Sequence, residues 1–134
     1  MSPLFTKLNL RTQTIVHVLN APESFELELA LLQKVSVKRV VSGSVSFALA
    51  FVITQIELDA ASRQLTAASV GDALLWMAYP KGSSRRYRCE FNRDSGRATL
   101  QRAGFGPVRM VAIDEDWSAL RFRRVEHISR AGKK

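Results

Sequence analysis

Cysteine is almost absent from this chain of 134 residues, with Cys89 the single example. No intramolecular disulfide framework and no cysteine-based zinc site can be built from it, and such usage fits a reducing compartment, so a soluble, cytoplasmic protein is expected. Histidine is nearly as scarce. His17 falls inside an apolar run and His127 in a polar tail, neither spaced to a nucleophile or a second ligand, so a hydrogen-bonded core histidine is the expectation for His17. Long apolar runs are missing as well. The longest are strand-sized, far short of the roughly 20 residues that a membrane helix needs. The opening Met1-Ser-Pro-Leu-Phe-Thr-Lys7 has neither a long apolar core nor a small-residue cleavage site, so neither membrane contact nor secretion is expected.

What is present suits a compact α/β protein. The hydrophobic content of 46% can fill a core without disulfides or metals. The pattern divides into a lead-in (1–13), one α/β domain (14–125) and a basic, flexible tail (126–134). Charge is lopsided: residues 1–80 carry six basic and six acidic residues, whereas 81–134 carry fourteen and six, so the whole excess of +8 lies in the second part. Such an imbalance steers anionic partners or serves as a solvated face. Nucleic acid is not the favoured partner, because the basic residues are not interleaved with aromatic platforms.

Thr14–Asn20 is a β-branched run that reads as a strand, followed by a helix over 23–33 with Pro22 at its start and Phe25, Leu29 and Leu32 on one face. Val35–Val41 alternates as a strand with one wet face, and Phe47–Ile53 reads as a central strand. Thr54 is placed to cap a helix from Gln55 to about Ser69, with Ile56, Leu65 and alanines as its packing face and Gly71 ending it. The all-apolar stretch around Trp76 follows. A short helix over 93–103, a strand over 108–113, a tight turn at Asp114–Trp117 and a returning antiparallel strand over 118–125 complete the order. This alternation implies a Rossmann-like three-layer α/β sandwich with a mostly parallel sheet and a C-terminal antiparallel hairpin. The short link after Val41 is at odds with a parallel crossover. Either Val35–Val41 is a short edge piece, or it pairs antiparallel with its successor.

The ordered set Leu19-Asn-Ala-Pro22, Ala50-Phe-Val52, Leu75-Trp76 with Tyr79-Pro-Lys81 and Ser83-Ser84, Val111-Ala-Ile-Asp114 and Trp117-Ser-Ala-Leu-Arg-Phe122 resembles a family of small bacterial proteins built on a domain of unknown function. That family implies no chemistry. The strand and helix order is also similar to the later part of class I methyltransferases. Those enzymes offer a glycine-rich turn preceded by an acidic residue after the first strand, where this chain has Asn20-Ala-Pro-Glu23. No cofactor is expected on that account.

Parallel strands would deliver Asn20, Thr54, the Pro80–Arg86 loop and Asp114–Trp117 to one rim. The candidate ligand-binding residues are Asn20, Lys81, Gly82, Ser83, Ser84, Arg85, Asp114 and Trp117. Lysine, serine and arginine side chains would hold phosphate or carboxylate, with Gly82 turning the backbone inward. The loop lacks Walker spacing. It also reads as a plain polar connection. Asp114, Glu115 and Asp116 form either a base or cation site, or a turn whose carboxylates bond nearby amides. Trp117 either stacks on a ligand or anchors packing. Arg88 beside Cys89 would favour a thiolate, but no histidine is spaced to activate it. No catalytic residue and no metal ligand is assigned. The leading expectation is a non-catalytic binding module for a small anion or an acidic partner. The rivals are an enzyme using the Asp114–Trp117 turn with Lys81, and an electrostatic nucleic-acid binder.

Overall fold

In a computed structural model that describes residues 3–91 and 97–128, six strands form one sheet ordered β2-β1-β3-β4-β6-β5. The strands are β1 (Ile15–Leu19), β2 (Ser36–Lys38), β3 (Val45–Phe51), β4 (Ser69–Pro80), β5 (Phe105–Ala112) and β6 (Trp117–Arg124). β1 to β4 pair in parallel, while β6 runs antiparallel to both β4 and β5. β5 therefore points the same way as β4, and a single strand, β6, is reversed. The mostly parallel sheet with a closing hairpin is as the alternation implies.

One apolar layer joins α1 (Pro3–Lys7) and α2 (Glu26–Ala30) to one sheet face through Phe5, Leu8, Leu10, Phe25 and Leu29. The other joins α3 (Gln55–Ala68) and α4 (Ala98–Arg102) to the opposite face through Leu58, Ala61, Leu65 and Leu100. The lead-in belongs to the body, because Phe5 and Leu8 are fully buried and the Trp76 indole donates to the Leu8 carbonyl at 3.0 Å.

Several boundaries differ from expectation. The helix after Pro22 is a 3-10 turn over Glu23–Phe25 followed by α2, and it stops at Ala30, after which bonds three residues apart unwind it. Thr54 caps α3 as expected, in a full capping box with Glu57. Ile56 is not on the packing face: it is 79% exposed, and Leu58, Ala61 and Leu65 take that role. Nor does Gly71 end α3. Strand pairing begins at Ser69, and Gly71, at φ +56°, sits in an irregularity where β3 advances from Val45 to Phe47 while β4 runs from Ser69 to Leu74. Only a residue tolerant of left-handed φ lets the strand absorb that excess. Of the helix expected over 93–103, Ala98–Arg102 is helical, and residues 92–96 lie outside the described residues, as do 129–134 of the tail.

The difficult link is resolved by geometry. β2 is a short edge piece matched to Ile15–His17 of β1, so the chain need retrace little before starting β3 on the far side of β1. His17, fully buried, bonds through Nε2 to the Ser42 carbonyl at 3.0 Å where the link crosses.

Candidate functional site

The basic loop is built from β4 outwards. Pro80 still pairs with Trp117, and the Lys81 amide then donates to the Asp116 carbonyl at 2.8 Å. Ser84 folds the next turn: its hydroxyl donates to the Asp116 carboxylate at 2.9 Å and accepts the amides of Arg86 and Tyr87 at 3.2 and 3.1 Å. Tyr87 packs on Trp117 with ring centroids 4.9 Å apart. Farther on, the Glu90 amide donates to the Ile53 carbonyl at 2.9 Å, and its carboxylate accepts the first amide of α3, that of Gln55, at 3.0 Å. The loop is thus fastened at the β5–β6 turn, at the aromatic core and at the start of α3. A carboxylate at the start of α3 also suits the positive end of the helix dipole.

Over this frame opens a concavity of about 680 Å³ lined by Lys81, Gly82, Ser84, Arg85, Arg86 and Arg88, with Tyr79, Tyr87, Cys89 and Phe91 beside them. Among the described residues the side chains of Lys81, Arg85, Arg86 and Arg88 make no ion pair or hydrogen bond. A second hollow of about 390 Å³ is bounded by Ser83, Arg85, Arg86, Glu115 and Asp116.

Of the sequence candidates, Lys81, Gly82, Ser84 and Arg85 line one cavity and Ser83 its neighbour. Asn20 stands on the same rim, two strands away, but opens onto a separate groove of about 350 Å³ with Arg39, Val40, Ile56, Glu57 and Gln64. Asp114 accepts the amides of Asp116 and Trp117 at 2.8 and 2.9 Å, which makes it the brace of its own turn. Trp117 is buried against Phe51 and Tyr87, an anchor beneath the loop with no face open to a ligand. Ser84 spends its hydroxyl within the loop. Arg88, Tyr79, Tyr87 and Phe91 are the residues that sequence reasoning passed over, although the run Arg85-Arg-Tyr-Arg88 already carried an aromatic between cations. Folding sets Tyr79 and Phe91 beside that run. Cys89 is not a candidate site residue, and burial, helped by the Glu90 charge and opposed by the bond to the Phe91 carbonyl, pushes its pKa up, so the thiolate is disfavoured.

Among the described residues no group of three or more His, Cys, Asp or Glu side chains gathers to hold a metal ion, and no helix is long and apolar enough to cross a membrane. At the end of β1, Asn20 adopts φ +59° and keeps a side chain where a glycine would leave the backbone open. The charged groups of that groove are committed elsewhere. Arg39 holds Glu26 at 2.7 Å, and one Glu57 oxygen accepts the amides of Ile53 and Thr54.

No family model and no curated protein matches the chain. Solved structures do. The chain is similar to ribosomal protein L11 methylase from Lactobacillus delbrueckii subsp. bulgaricus, with 11% identity and a TM-score of 0.59 over 92% of this chain and 76% of that one. It is similar to magnesium protoporphyrin IX methyltransferase from Synechocystis PCC 6803, with 12% identity and a TM-score of 0.58 over 90% and 78% respectively. The pyocyanin biosynthetic protein PhzM gives 16% identity and a TM-score of 0.51 over 86% of this chain, which spans about half, 51%, of that one. These likenesses show the fold, a Rossmann-like sheet of the methyltransferase kind.

Proposed function

We propose that the protein is a binding module whose rim cavity takes an anionic ligand on Lys81, Arg85, Arg86 and Arg88. The observation that supports this reading is the set of four unpaired cations around a braced concavity. Cations gathered without carboxylate partners repel one another, and an anion relieves the repulsion through charge-assisted bonds, bidentate in the case of arginine. The volume lies in the range of small-molecule sites. No bond-making step is assigned. The groove at the end of β1 has neither the glycine turn nor a free carboxylate for S-adenosylmethionine, so its residues do not fit that cofactor, and no step is routed through it.

Replacing Lys81 and Arg85 together by Ala should leave the fold intact, since surface charge changes usually cost under about 0.5 kcal/mol. It should also abolish the rise in melting temperature that phosphate or a nucleotide gives wild type, because a ligand stabilises only the form that binds it. Equal rises in wild type and double variant would remove the site.

A second reading, single-stranded nucleic acid, is favoured by Tyr79, Tyr87 and Phe91 beside the cations. Rings and cations together are what sequence-tolerant strand binders use.

A further inference from the structure

The hairpin β5–β6 carries a separate feature that the rim does not explain. In its antiparallel register Arg109 stands directly opposite Arg121, and Arg121 stands opposite Trp76 on the other side. Side chains so paired share one face with roughly 5 Å between Cβ atoms, and like charges in that relation are destabilising. The Asp72 charge compensates Arg121 in part. Asp72, the carboxylate that acts on Arg121 among the described residues, gives both oxygens to Arg123, at 2.8 Å to Nε and 2.6 Å to Nη2. Arg121 is half-buried, and its Nε is fully buried with no acceptor among the described residues. Burial, then the Arg123 charge, with Arg109 adding and Asp72 opposing, holds the Arg121 pKa below its ordinary value.

A half-buried cation with a second cation directly opposite on the neighbouring strand is a costly arrangement that an anion from outside relieves. We infer that the Arg109–Arg121 face of the β5–β6 hairpin is a second anion site, which takes a phosphoryl oxyanion between the two guanidinium groups. Each guanidinium is a planar fork of N–H donors, and phosphate oxygens accept such donors in pairs. Arg123, tied to Asp72, flanks the site. The site is distinct from the rim: Trp76, which marks its level on β4, is four residues before Pro80, about 13 Å along the strand. It stands independently of the function proposed for the rim.

Two sources supply this chemistry, free polyphosphate and the phosphodiester backbone of a nucleic acid. The test measures melting temperature at constant ionic strength, for wild type, Arg109→Gln and the Lys81→Ala/Arg85→Ala double variant. Each is taken alone, with inorganic tripolyphosphate, and with a single-stranded oligothymidylate. Arg109 is exposed, so its replacement does not endanger folding. Without anion, Arg109→Gln should melt at or above wild type, because the like-charge pair is relieved. With tripolyphosphate, wild type should rise, Arg109→Gln should lose most of that rise, and the rim variant should keep the hairpin's share. A rise that depends on Arg109 with both ligands assigns the site to phosphate chains generally, and one confined to tripolyphosphate assigns it to the free anion. The inference is overturned if wild type and Arg109→Gln rise equally, if wild type does not rise at all, or if Arg109→Gln melts clearly below wild type without anion. None of these results depends on how the rim variant behaves, so failure here and failure of the rim proposal are told apart.

Discussion

Trp76 shows how much one side chain can hold. It is fully buried in a strand whose neighbours are buried on both faces, and its indole N–H satisfies the Leu8 carbonyl, tying the lead-in to the sheet. Trp76→Ala should therefore cost on the order of 3–5 kcal/mol from the cavity and lost transfer energy, with the stranded carbonyl adding to it. A urea midpoint unchanged from wild type would contradict the central-strand placement. Asp72 is the residue with a readable acid response. Hydrogen bonding to Arg123, against a smaller cost of burial, holds its pKa below the ordinary value. The lowered folded-state pKa means that the pair's stabilisation is full above the unfolded pKa and is lost as pH falls through the folded one. Asp72→Asn should melt below wild type near neutral pH by a small amount, since the pair is about one-third exposed and screened by solvent. That gap should close as pH is lowered into the acid limb. A gap that stays constant down to the lowest pH would show that Asp72 acts by packing and not by charge.

At the scale of elements, α3 is the helix best specified by its own residues. Thr54 accepts the Glu57 amide, Glu57 returns to the Thr54 amide, and Glu90 from the basic loop caps Gln55. Thr54→Ala should cost about 1 kcal/mol, within the usual 0.5–2 range for a lost cap, seen as a lower denaturant midpoint at unchanged slope. A slope change instead would mean that the start of α3 unravels together with the loop that Glu90 fastens. The capping signal was legible because Thr and Glu three apart act locally. Ile56 was misplaced because its side depends on which face of α3 meets the sheet, a matter of packing. The short helix after Pro22 was legible in position and in its packing face of Phe25, Leu29 and Leu32, but not in length.

Across the whole molecule, aromatic contacts run from Phe5 through Phe25 and Phe51 to Trp117 and Tyr87, so the core on one sheet face continues to the base of the basic loop. Rigid support of this kind keeps cations close despite their repulsion. Of the fourteen basic residues in the second part, Lys81, Arg85, Arg86 and Arg88 line that rim and Arg109, Arg121, Arg123 and Arg124 lie on the β5–β6 hairpin. If the cations meet nucleic acid, log affinity should fall linearly with log salt and depend little on base sequence, with a slope set by the number of phosphates engaged. Fluorescence anisotropy with single-stranded and duplex probes checks this. No binding at low salt removes the nucleic-acid reading.

Periodicity and end signals were enough for the layered fold, the reversed last strand, the Thr54 cap and the rim that collects Lys81 to Arg85, because hydrophobic spacing and capping are written within a few residues of one another. The choice of an edge position for β2, the His17 bond to the crossing link, the separation of Asn20 from Lys81 and the choice of support over ligand contact for Asp114 and Trp117 were left open by the sequence. Each depends on sheet order and on partners far apart in the chain. The meeting of Arg109 with Arg121 has the same cause. A register between strands sets it, and register is a property of the folded sheet that no local pattern carries.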